Sequence, residues 1–151
     1  MSLSLSLSLI MRSPVLLGQL SSAVTGLRLS LHVLAATIWV GGQFTLAGLV
    51  PTARQISGDA PRKLATAFAR LMWPAYAVLL ITGVWNISAT QKGQPTAWKA
   101  VLVVKVFVVL LSGLAALLHS RASSKKGLAI WGSVSGLSAT AALVLGVFLA
   151  G

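Results

Sequence analysis

The sequence predicts an all-α fold: an integral membrane four-helix bundle with short loops and an N-terminal interfacial helix. Three observations carry this. Of 151 residues, 56% are apolar and 9% charged, with a mean hydropathy of +0.90, which leaves too little polar surface for a water-soluble globule. Four stretches, at about 28–50, 67–89, 98–119 and 128–150, each supply the roughly 20 apolar residues that a hydrocarbon core of about 30 Å requires. These stretches are apolar all round, and in water such helices have no second layer to pack against.

The elements follow in order. Residues 1–26 form an N-terminal segment in which SLSLSLSLI alternates like a strand without a partner strand and lacks the basic start of a secretory signal. Met11, followed by Arg12, offers an alternative start. Ser13 and Pro14 suit a cap and a first helical position, so the expectation for this segment is either an interfacial helix running to Gly26 or partial disorder. Residues 27–151 then form the four-span domain. The first span closes on Pro51 and a turn at Gly58, Asp59, Ala60 and Pro61, the second on Lys92, Gly93, Gln94 and Pro95, and the third on Arg121 to Gly127. In the fourth, Gly132 and Gly136 form a GxxxG continued by Thr140, a pattern that permits close packing, including a homodimer.

Charge and composition remove most function classes. Twelve Lys and Arg against one acid give +11, but the cations sit between apolar runs and form no basic stripe, so nucleic acid is not an expected partner. The sequence has no Cys, which excludes disulfides, thiolate metal sites and Cys nucleophiles. A single carboxylate, Asp59, excludes paired-carboxylate catalysis and carboxylate metal clusters. Seven cations (Arg54, Arg62, Lys63, Arg70, Arg121, Lys125, Lys126) fall on the side of the first and third connections and four (Arg12, Arg28, Lys92, Lys99) on the side of the termini. The positive-inside rule then places both termini outside the cytoplasm.

Ionisable groups inside spans are costly and point to function. His32 lies roughly 8 Å and Lys105 roughly 9 Å below the same interface, at 1.5 Å per residue. Asn86 on the second span reaches a similar level, beside Trp85 and Trp98. The faces agree: His32, Ala36, Trp39 and Gln43 recur at helical steps, Trp98, Lys105, Ser112 and His119 recur every seventh residue, and Asn86 follows Thr82 by one turn. Read blandly, His32 is a hydrogen-bonded bundle histidine, Trp39 is packing and Lys105 snorkels to the surface. Read as a site, His32, Trp39, Asn86 and Lys105 line a pocket, with His32 the one metal ligand. A tetrapyrrole such as haem b suits it, through an imidazole on the iron, Lys105 on a propionate and tryptophans along the apolar edge. Copper is the competing cargo, but soft donors are scarce, with three Met and no Cys. His119 ends the third span on the opposite side and is not expected to share a ligand with His32. The cations at the first and third connections, Arg62, Lys63 and Arg70 and then Arg121, Lys125 and Lys126, are expected to meet lipid phosphate.

The segment LHVLAATIWVGG, residues 31–42, resembles the opening helix of CopD-like copper-resistance membrane proteins, whose relatives include the HemJ type of protoporphyrinogen oxidase. The likeness continues through FARLMWPAYAVLLITGVWNI, residues 68–87, and WKAVLVVKVFVVLLSGLAALLHSR, residues 98–121. His32, Trp39, Gly42, Arg70, Thr82, Gly83 and Lys105 stand at the matching positions. The resemblance implies a bacterial inner-membrane protein that handles copper, or a haem-linked porphyrinogen oxidase in which His32 and Lys105 carry the family's histidine and lysine. It departs from the HemJ pattern at VPTARQ, where a basic, histidine-containing segment is expected, and at Ala116, where a second histidine is expected. Three readings follow: a small CopD-like protein serving copper or haem, a HemJ-like oxidase, and a non-catalytic accessory subunit whose Lys105 meets an acid on a partner.

Overall fold

The computed structural model describes residues 14–150, and of residues 14–17 and 20 the backbone only. The alternating stretch at 1–10 and the Met11 start lie outside the described residues. Among the described residues there are four helices: α1 (Pro14–Ile56), α2 (Ala60–Thr90), α3 (Thr96–Arg121) and α4 (Lys125–Ala150). All four are long and apolar enough to cross a membrane, so this is a multi-pass membrane protein of the all-α, four-helix kind. Large apolar side chains such as Val33, Phe44, Val84, Phe107, Leu137 and Phe148 are exposed around the outside, where lipid replaces water as their solvent.

The ends of the helices follow local chemistry. Pro61 occupies the first turn of α2, where its missing N–H costs nothing. Gly93 carries the connection from α2 to α3 at φ +79, a conformation that suits a residue without Cβ. Ser124 caps α4, accepting the Gly127 N–H on its hydroxyl at 3.0 Å. Pro51 and Pro74 stand inside α1 and α2, where each frees a backbone carbonyl one turn earlier.

α1 differs from the sequence expectation in extent. It runs unbroken through Gly26, so residues 14–26 are continuous with the helix of the first span. At 43 residues it is about 64 Å long, against about 39 Å for the 26 residues of α3. Counting back from the Trp39–Ser112 contact, Thr96 at the start of α3 stands level with Ala23, so the first turns of α1 extend past the bundle.

The bundle is two tight antiparallel hairpins, α1 on α2 and α3 on α4, with α1 and α4 the closer approach between them. A central layer joins the hairpins. Trp39, only 2% exposed, stacks on Tyr76 with ring centroids 4.4 Å apart and on Trp73 at 5.7 Å. Its Nε1 donates to Ser112 Oγ at 3.0 Å, and Ser112 Oγ donates to the Ser135 carbonyl at 3.0 Å. The Ser135 hydroxyl lies between the Ser112 carbonyl, at 3.0 Å, and Gln43 Oε1, at 2.9 Å, while Gln43 Nε2 donates to the Trp39 carbonyl. Tyr76 donates to the Val109 carbonyl at 3.0 Å, and its ring fills the space that Gly113 leaves open. Gly132 and Gly136 also face inward, toward His119 Nδ1 and Gln43 Oε1, so their close packing is used within the chain.

Candidate functional site

The central layer fixes the register in which the polar residues meet. From Trp39 and Ser112, seven residues back along each of the parallel helices α1 and α3 lead to His32 and Lys105. From Trp39 and Tyr76, the antiparallel pairing of α1 and α2 brings Thr82 against His32. His32, Thr82 and Lys105 thus occupy one stretch of the bundle, at the end that carries Trp98 and the α2–α3 connection.

His32 is half-buried, and its Nδ1 lies 2.8 Å from Thr82 Oγ1. Thr82 is 3% exposed, and its hydroxyl proton goes to the Val78 carbonyl one turn back, at 2.7 Å. With that proton committed, Thr82 Oγ1 accepts, so His32 carries its proton on Nδ1. The Nε2 lone pair is left free, with no hydrogen-bond partner among the described residues. This is the arrangement in which a ligating imidazole is held by a partner on its other nitrogen. Cε1 of the ring lies against Gly83, where an added methyl would sit 3.6 Å away.

Lys105 is also half-buried. A methyl at Gly146 would lie 3.0 Å from Nζ, so the side chain leans toward the start of α3 and rests against α4. Asp59, the sole acid, sits at the opposite end of the bundle, where Lys63 holds it at 2.7 Å and Ser57 donates to it at 2.6 Å. Lys105 therefore has no side-chain counter-ion within reach.

The remaining expected residues fall in two places. Trp39 belongs to the central layer, two turns from His32, where its N–H is already satisfied. Asn86 lies one turn beyond Thr82, half-buried, with Oδ1 buried and unpartnered. Trp98 donates to the Leu149 carbonyl at 3.2 Å and ties the start of α3 to the end of α4. His119 lies fourteen residues from Lys105, about 21 Å along α3, and bonds the Leu128 carbonyl at 2.8 Å. Surface hollows occur at Arg62, Thr66 and Arg70 on α2 and at Leu29, Val33 and Thr37 on α1, and neither is lined by His32 or Lys105.

One residue escaped the sequence reading. Arg28, counted above as a flanking cation, is 6% exposed, and its Nε is buried without a partner. It stands one turn before His32 on the same face, so extending the stripe back by four residues would have found it.

The fold and site together define a four-span membrane protein with a cation-rich, acid-free polar layer toward one end. No protein-family model matches the sequence, and no curated protein or solved structure matches it either.

Proposed function

We propose that this is a small CopD-like protein of the bacterial inner membrane, with both termini outside the cytoplasm, that handles a haem or a metal through His32. The observation that carries this reading is the His32–Thr82 pair, which orients the ring and leaves Nε2 open. Lys105, without a counter-ion, supplies positive charge for an acidic substituent on the same ligand.

Between the two cargoes, the donors favour haem b. One imidazole is enough as an axial ligand, the propionates match Lys105, and the apolar helix faces suit a macrocycle. Copper would need soft donors in addition to His32. Among the described residues no group of three His, Cys, Asp or Glu is close enough to hold a metal ion, and Met72 packs against Gly42 beyond the central layer. A bound haem would supply redox chemistry. This chain's part is to hold the iron at Nε2 and to neutralise an acid group at Nζ.

The test is an absorption spectrum with iron and copper analysis on gently solubilised protein. A Soret band is expected, lost in His32→Ala, weakened in Lys105→Ala and kept in His119→Ala. Wild-type protein with neither chromophore nor bound metal overturns the reading.

A further inference from the structure

We propose that Arg28 and Asn86 form a binding site for a phosphate group that carries a hydrogen-bond donor beside it, one helical turn outward from His32. Two observations meet at this level. Arg28 is 6% exposed and its Nε–H, a donor, has no acceptor. Asn86 Oδ1, an acceptor, is buried with no donor. The antiparallel register that sets His32 against Thr82 also sets Arg28 level with Asn86, four residues further along each helix. An orphaned donor and an orphaned acceptor at one height, not bonded to each other, call for one group that accepts from the first and donates to the second.

Charge narrows the chemistry. The layer holds Arg28 and Lys105 beside His32, and the sequence has no acid but Asp59, which is engaged at the other end. Water would complete the hydrogen bonds and leave the charge uncompensated. A phosphate oxygen compensates the charge and accepts from the guanidinium with the strength of a charge-assisted bond. A hydroxyl next to that phosphate, or a protonated phosphate oxygen, donates to Asn86. The depth agrees: Arg28 lies near the levels of Trp98 and of the end of α4, where tryptophans mark the head-group zone. Two sources carry this chemistry, a hydroxylated anionic head group such as phosphatidylglycerol and inorganic phosphate from solution. The site does not depend on what His32 holds.

The experiment uses the full chain in neutral detergent and reads thermal unfolding and retained lipid with phosphatidylglycerol, phosphatidylcholine or inorganic phosphate added. Phosphatidylglycerol is expected to raise the midpoint and to stay bound, and phosphatidylcholine to do neither. Arg28→Gln is expected to weaken this binding about tenfold or more, the loss of one charge-assisted bond. Asn86→Asp is the second variant: its carboxylate would neutralise Arg28 from within and abolish the lipid effect. His32→Ala is expected to keep the lipid effect, so failure here is distinct from failure of the haem reading. A shift with inorganic phosphate alone, lost in Arg28→Gln, supports the same site with solution as its source. Equal shifts with both lipids, or an undiminished phosphatidylglycerol effect in both Arg28→Gln and Asn86→Asp, overturn the proposal.

Discussion

The bundle holds two polar layers that differ in one respect. In the central layer, Trp39, Gln43, Tyr76, Ser112 and Ser135 satisfy one another or nearby backbone carbonyls. Two turns and more toward the Trp98 end, His32 keeps a free nitrogen, Lys105 an unpaired charge, and Arg28 and Asn86 each a buried orphan atom. Inside a membrane no water stands ready to complete such groups, so the contrast separates two uses of polarity. A closed network holds helices together, and an open one at half-burial suits a ligand. The closed layer also depends on a glycine: Gly113 makes room for Tyr76, and any Cβ there would collide with the ring.

The sharpest way to break the comparison is Trp39→Ala. It removes a side chain 2% exposed that stacks on two rings and anchors α1 to α3. A loss of about 3–5 kcal/mol is expected from burial and cavity formation, read as the largest drop in unfolding midpoint in neutral micelles. A loss no greater than that of a surface substitution would mean that the central layer does not hold the hairpins together.

A smaller effect sharpens the contrast. Ser112→Ala strips the acceptor from the Trp39 N–H and the donor from the Ser135 carbonyl, and is expected to cost about 1–2 kcal/mol. Asn86→Leu in the other layer deletes an acceptor that is already unpaired, and in neutral detergent without added phospholipid the midpoint is expected to stay level or rise. If Asn86→Leu destabilises as much as Ser112→Ala does, the two layers are alike and the open one is structural too.

Much of this was legible in the sequence, because span length and helical spacing are local properties. The four spans come from runs of about 20 apolar residues. The stripes His32–Trp39–Gln43 and Lys105–Ser112 turn inward as their periods demand. What was not legible depends on register between helices. That Tyr76 packs against Gly113, or that Ser135 meets Ser112, cannot be read from the period of one helix, since many offsets satisfy it equally. Arg28 was missed for a different reason. An arginine at the edge of an apolar run is ordinarily a flanking cation, and only the unbroken course of α1 carries it into the bundle. Gly132 and Gly136 mark close packing correctly in kind, but the sequence does not say whether the near helix is the chain's own.

The smallest effect is expected at the α1–α2 connection, which supplies a baseline for both layers. Asp59 sits there among Arg62, Lys63 and Arg70. The Lys63 ammonium, and after it the Ser57 hydroxyl, hold its carboxyl below the usual carboxylate range. A depressed folded value means that any stabilisation is present at neutral pH and is lost as pH falls below about 4, through the folded value. Both side chains are largely exposed, 78% for Lys63 and 59% for Asp59, so solvent and salt screen the pair. Asp59→Asn is therefore expected to leave the unfolding midpoint at pH 7 within error of wild type, with the two midpoint curves superimposed down to pH 5. A gap at neutral pH as wide as that of Ser112→Ala would show that this exposed pair couples to the bundle. The buried layers would then no longer be the only places where a polar group decides stability.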